Sequence, residues 1–215
     1  MSKTITLNNN SKSILYLIKK DKRLAKVISM IGPITYTVHD EPFTFLIHEI
    51  IEQMLSKKAG NKIYSRLESL CGGVITPKKI DSLSNEEIKS IGTANSKVSF
   101  IRNVTTAVLE DTLNFEALKI MDDEEVFKAL TSIKGIGKWT ANMYLIFVLD
   151  RQDILPTNDV AFLQAYKWLY KTTALSDKAI KTKCKKWKPY SSIACRYLYR
   201  ALDSGLTKEE FHLFK

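Results

Sequence analysis

Two glycines one residue apart, a tryptophan and an isolated carboxylate fall within one short stretch, Lys134-Gly135-Ile136-Gly137-Lys138-Trp139 followed by Leu155-Pro156-Thr157-Asn158-Asp159. Glycines let backbone N–H groups at a helix start approach an anion closely, and Lys134 and Lys138 add positive charge. Ile136 can meanwhile plug the turn into a core, so a phosphodiester would suit this seat. The same turn also serves as a plain C-cap and tight connection between two helices. Pro156 disfavours helix just before it, so Asn158 or Asp159 can cap the helix that follows. A carboxylate there is either a simple N-cap or, beside a DNA-binding hairpin, a group close to the nucleic-acid backbone where sugar chemistry could occur.

Helices must hold these residues, and the apolar pattern supplies them. Ile14, Leu15, Leu17 and Ile18, then Leu24, Val27, Ile28 and Ile31, then Phe43, Leu46, Ile47, Ile50, Ile51, Met54 and Leu55 recur at helical spacing. The same period predicts helices over 63–70, 86–91, 97–109, 124–133, 138–149, 160–170, 178–187, 193–202 and 208–214. Two of them thus meet through the glycine turn. Thr76-Pro77 reads as an N-cap with proline at the first helical position, Gly60 and Gly92 as stops, and Gly32-Pro33 and Asp40-Glu41-Pro42 as breaks. Only residues 34–38, Ile-Thr-Tyr-Thr-Val, alternate like a strand, with no evident partner. The expected fold class is therefore all-α. The polar residues 1–12 are expected to be a disordered N-terminus.

Composition narrows the partner. Thirty-three Lys and Arg against twenty-three Asp and Glu give a formal charge of +10 over 215 residues, which favours a polyanion or an acidic membrane surface. The longest apolar run, Tyr144 to Leu149, is far short of the roughly 20 residues that span a bilayer. The polar start lacks signal-peptide features, so a cytoplasmic location is expected, nucleoid-associated if the source is prokaryotic. Cys71, Cys184 and Cys195 form no C-x-x-C pair, and His48-Glu49-Ile50-Ile51-Glu52 begins like H-E-x-x-H but ends in Glu. No metal or other cofactor is expected on these grounds. Between Asp177 and Asp203 stand Lys178, Lys181, Lys183, Lys185, Lys186, Lys188, Arg196 and Arg200 without one acid, a phosphate-binding surface or a solvated helix face.

The pairing of K-G-I-G-K-W-T-A with L-P-T-N-D resembles the helix–hairpin–helix DNA glycosylases, and within them the 3-methyladenine-DNA glycosylase II branch. Pro42 to Leu67 and Trp187 to Leu202 are similar to further family segments, so the likeness covers roughly residues 14 to 205. The resemblance implies two helical lobes with a cleft between them. One is a middle lobe over 36–150 ending in the hairpin, the other a lobe of 13–35 plus 151–215 that carries the acid. It implies a monofunctional enzyme, a monomer, that flips alkylated purines such as 3-methyladenine and 7-methylguanine out of double-stranded DNA and hydrolyses their N-glycosidic bond. Two alternatives share the motifs: a same-fold glycosylase for oxidised, deaminated or mismatched bases, and a non-catalytic hairpin DNA-binding protein.

By resemblance, Asp159 is the catalytic carboxylate, twenty residues beyond Trp139. Asp150 and Asp153, its rivals, fall in what reads as a solvated loop. Trp139 stands where strand-cutting relatives carry a Schiff-base lysine, so no lyase activity is expected. Trp139 and Tyr199 are the base-pocket residues, suited to a cationic base by cation–π attraction. Tyr36, Tyr144, Trp168 and Trp187 read as packing. Gln53 and Met54 align with the residues that fill the gap left by a flipped nucleotide, although Met54 also continues a core stripe. Lys134, Gly135, Ile136, Gly137 and Lys138 are the phosphate contacts, and whether the hairpin carbonyls also hold a monovalent cation stays open. Ser191 replaces a usual arginine, and Glu52 and Met54 replace common Gly and Gln or Leu.

Overall fold

The computed structural model describes residues 3–213. Met1, Ser2, Phe214 and Lys215 lie outside the described residues, and with them the ends of the expected disordered start and of the expected 208–214 helix. The chain divides into two compact units, a terminal one of Met1–Val38 with Asp150–Lys215 and a middle one of His39–Leu149.

The terminal unit begins with β1 (Thr4–Leu7), α1 (Lys12–Lys20), α2 (Lys22–Ile31) and β2 (Ile34–Thr37). β1 and β2 pair antiparallel, Thr4 opposite Thr37 and Leu7 opposite Ile34, which corrects the expectation of disorder for the described part, residues 3–12, of that start. The polar composition hides this strand because it is half-solvated. Leu7 and Ile34 are buried, while the Thr4–Thr37 and Thr6–Thr35 hydroxyls meet across the other face at 3.3 and 3.0 Å. The pairing also carries residues 36–38 into the terminal unit, so the division falls after Val38 rather than after residue 35.

The middle unit follows: α3 (Pro42–Glu52), α4 (Lys57–Leu70), α5 (Pro77–Ser82), α6 (Asn85–Ser90), α7 (Asn95–Leu109), α8 (Phe115–Ile120), α9 (Asp123–Thr131) and α10 (Lys138–Phe147). Caps set several boundaries. Thr76 Oγ1 accepts from Lys79 N, and capping boxes open α6 at Ser84/Glu87 and α9 at Asp122/Glu125. Gly60 is no stop: it lies inside α4, where an added Cβ would sit 2.5 Å from Glu52 Cγ, so glycine there permits α3 and α4 to approach. Leu46, Ile47, Ile50, Leu67, Ile101, Val104, Leu130 and Ile146 are completely buried in this unit.

The chain returns to the terminal unit with α11 (Val160–Tyr170), α12 (Asp177–Cys184) and α13 (Ser191–Asp203), then 3₁₀ turns at Lys185–Trp187 and Leu206–Lys208. The expected helix over 208–214 is absent among the described residues; Phe211 is nonetheless buried, edge-on to Trp168. Its core joins Leu17, Leu24, Val27, Ile28, Phe162, Leu169, Trp187 and Leu198. No helix among the described residues is long and apolar enough to cross a membrane.

Candidate active site

In the middle unit, α9 ends at Thr131 and α10 starts at Lys138, with Ile136 N donating to Ile133 O at 3.0 Å and the Ile136 side chain buried. Gly135 has φ +113°, and an added Cβ would lie 2.4 Å from Phe100 Cβ, so the packing of α7 itself demands glycine. Gly137 differs. It is exposed at φ −90°, an added Cβ would meet nothing within 4 Å, and no side chain caps α10. Lys134 and Lys138 flank this open turn and are exposed.

Two side chains brace the hairpin from beneath. Asn103 Nδ2 donates to Lys134 O at 2.8 Å, and Gln53 Nε2 donates to Gly135 O at 3.0 Å and reaches Thr140 Oγ1 at 3.5 Å. Each carbonyl keeps a second lone pair. Gln53 and Met54, expected as a pair, part ways here. Gln53 is tied to the hairpin, whereas Met54 is fully exposed with φ +59°. That corrects the continuation of the core stripe, because α3 ends at Glu52, two residues earlier. Lys97 stabilises this end, its Nζ donating to Ile51 O and Gln53 O, both at 2.7 Å, while burial lowers its pKa. Trp139 lies in the first turn of α10, only partly buried, unlike the buried Thr140 and Ala141 beside it.

In the terminal unit, Asp159 caps α11. Its Oδ2 accepts from Phe162 N at 2.8 Å, and the residue is 7% exposed. Tyr199 on α13 interacts electrostatically with this carboxylate, and its hydroxyl is shielded from solvent. Burial first, and then the neighbouring Cys195 and Asp159, push the Tyr199 pKa well up, so the phenol stays neutral. Asp159 and Tyr199 therefore meet, across α11 and α13.

The rival acids are not in a solvated loop. Asp150 Oδ1 accepts from Tyr36 Oη at 3.0 Å and lies 3.6 Å from Nη2 of buried Arg196, whose guanidinium stacks 3.7 Å from the Tyr36 ring. Burial pushes the Tyr36 phenol up to about 12 and lowers the Arg196 pKa. Asp153 Oδ1 accepts from Ser191 Oγ at 2.5 Å and its other oxygen lies 3.3 Å from Lys188. Asp150 is bound by β2 and α13, and Asp153 by α13 and Lys188, which sequence spacing does not reveal. Of the aromatics read as packing, Tyr144 and Trp187 are fully buried, and Trp168 is half-buried with Nε1 donating to Glu209 O.

Residues 47–189, from within α3 to just before α13, match the model of the HhH-GPD superfamily base excision DNA repair proteins. The chain belongs to the HhH-GPD superfamily. Among its relatives, DNA-3-methyladenine glycosylase 1 of Schizosaccharomyces pombe is 30% identical over 183 residues, covering 83% of this chain and 80% of that one. The crystal structure of a DNA-3-methyladenine glycosidase from Bacillus halodurans superposes with TM-score 0.85 at 33% identity over 97% of both chains. The S. pombe 3-methyladenine DNA glycosylase Mag1, in complex with abasic DNA, superposes with TM-score 0.79 at 26% identity, covering 90% of this chain and 97% of that one. Within the HhH-GPD frame, Lys97 and the Tyr199–Asp159 contact are what sequence reasoning missed. Spacing signals neither, since each joins elements far apart in the chain.

Proposed function

We propose that this HhH-GPD protein is a monofunctional DNA glycosylase of base excision repair, acting as a monomer on alkylated purines in double-stranded DNA. The observation that carries the reading is the shielded Asp159 carboxylate, held by Phe162 N beside Tyr199 in a chain matched nearly end to end by a 3-methyladenine glycosidase. The Gly137 turn would take a backbone phosphate at the uncapped start of α10, with Lys134 and Lys138 adding charge. Met54, already exposed on strained backbone, would enter the gap left by the flipped nucleotide, with Gln53 as the strut beneath it. Trp139 would stack on the extrahelical base.

In the reaction the bond from C1′ to the base nitrogen breaks, and its electron pair leaves with the base. A cationic methylpurine departs neutral, which is why it leaves readily. Asp159 stabilises the positive sugar and orients water, whose hydroxyl bonds to C1′ while its proton is released. With Trp139 where a lyase needs an amine, borohydride should trap no covalent complex with DNA; trapping would mean that a lysine attacks the sugar.

The test is release of free base from duplexes that each carry one defined lesion. Release of 3-methyladenine or 7-methylguanine is expected. Release only from oxidised, deaminated or mismatched duplexes would assign a different pocket, and binding without release would make the chain a DNA-binding protein.

A further inference from the structure

The run His48-Glu49-Ile50-Ile51-Glu52 has no part in the reaction above. Its Glu52 breaks the H-E-x-x-H pattern, yet i,i+4 spacing puts His48 and Glu52 on one face of α3, where α4 adds Asn61. His48 Nε2 lies 3.8 Å from Glu52 Oε1 and donates a 2.9 Å hydrogen bond to Asn61 Oδ1, with a proton that a bound ion would displace. An ion with ligands at about 2.1 Å separates neighbouring donors by roughly 3.0–3.4 Å, so these distances bracket what coordination requires. On the other ring nitrogen, His48 Nδ1 lies 3.8 Å from Glu49 Oε1. With an ion bound, a carboxylate there accepts the Nδ1–H hydrogen bond and leaves Nε2 as the ligand atom.

One observation points to an occupant. Glu52 Oε1 is shielded from solvent and accepts no hydrogen bond, a costly state for a carboxylate oxygen. The carboxylate is also accommodated by the bare Gly60, where a Cβ would come within 2.5 Å of Glu52 Cγ and 3.1 Å of Oε1. His48, Glu49 and Glu52 face a cavity of about 460 Å³, bounded also by His39, Thr44 and Tyr64, with Lys57 as the competing cation. Imidazole, carboxylate and amide oxygen together suit zinc, cobalt or nickel better than calcium or magnesium.

We propose that His48 Nε2, Glu52 Oε1 and Asn61 Oδ1 bind one divalent transition-metal ion, with Glu49 orienting the His48 ring. The ion ties the last turn of α3, just ahead of Gln53 and Met54, to α4. The proposal goes beyond the glycosylase reading and does not rest on it.

The test uses tag-free, chelator-treated full-length protein, titrated with Zn²⁺ by calorimetry and with Co²⁺ by visible absorption. One ion per chain is expected, with a raised melting temperature. His48→Ala should abolish binding, and exposed Asn61→Ala should weaken it while leaving the circular dichroism spectrum unchanged. Glu49→Gln should weaken it about 10- to 100-fold, and Lys57→Gln should not weaken it. Absence of saturable one-to-one binding, or equal affinity in wild type, His48→Ala and Asn61→Ala, would overturn the proposal.

Discussion

Gly135 and Gly137 are required by different things. Phe100 and a φ of +113° demand the first, so Gly135→Ala should destabilise the protein by about 2–3 kcal/mol in urea unfolding. Nothing in the protein crowds the second. Gly137→Ala should leave the unfolding midpoint within about 0.5 kcal/mol of wild type and weaken binding to duplex DNA. An equal stability loss in both would refute an external ligand for Gly137. Met54 pays backbone strain at φ +59° with no packing in return. Met54→Gly should therefore raise the melting temperature slightly while lowering excision; lower stability would mean that its side chain has a structural role.

At the scale of elements, α2, α11 and the 3₁₀ turn at Lys185–Trp187 converge on Asp21. This buried acid accepts from Arg23 N and Leu24 N at 3.0 and 3.3 Å and from Trp187 Nε1 at 2.9 Å; Tyr170 Oη also donates, and Lys186 lies 3.0 Å away. Burial opposes its ionisation, but the bonds from Tyr170, Trp187 and Lys186 outweigh that and hold its pKa below the usual value. Because the folded pKa is depressed, this stabilisation is complete above the unfolded pKa of about 3.9 and is lost as pH falls through the folded value. Asp21→Asn should cost about 3 kcal/mol at neutral pH, and the difference from wild type should shrink in acid. A pH-independent difference would contradict this account. Asp21 shows where sequence reading stops. Its N-cap role before α2 is a local signal, but its partners on other elements arrive from 149 and 166 positions away. β1 was illegible for a related reason, since its partner is separated by two helices and its own residues are polar on one side. Helices such as α11 were legible to the residue because period and cap agree locally.

For the whole molecule, the two glycines, Gln53, Met54, Tyr199 and Asp159 could be picked out by motif or resemblance, whereas the bracing by Asn103 and Lys97 and the proximity of Tyr199 to Asp159 depend on tertiary packing. The net charge of +10 makes DNA affinity salt-dependent, but not every lysine contributes alike. Lys181 and Lys186 are paired with Asp177 and Asp21 at 2.9 and 3.0 Å, whereas exposed Lys134 and Lys138 flank the uncapped α10. Replacing Lys134 or Lys138 by Gln should reduce the slope of log affinity against log salt by about 0.9 each, and replacing Lys181 should leave it unchanged. The most direct measurement of the central claim is single-turnover excision by Asp159→Asn on a duplex holding one 7-methylguanine, with affinity for the same duplex measured alongside. Excision should fall at least about a hundredfold with affinity nearly intact. Wild-type excision by that variant would remove Asp159 from the chemistry.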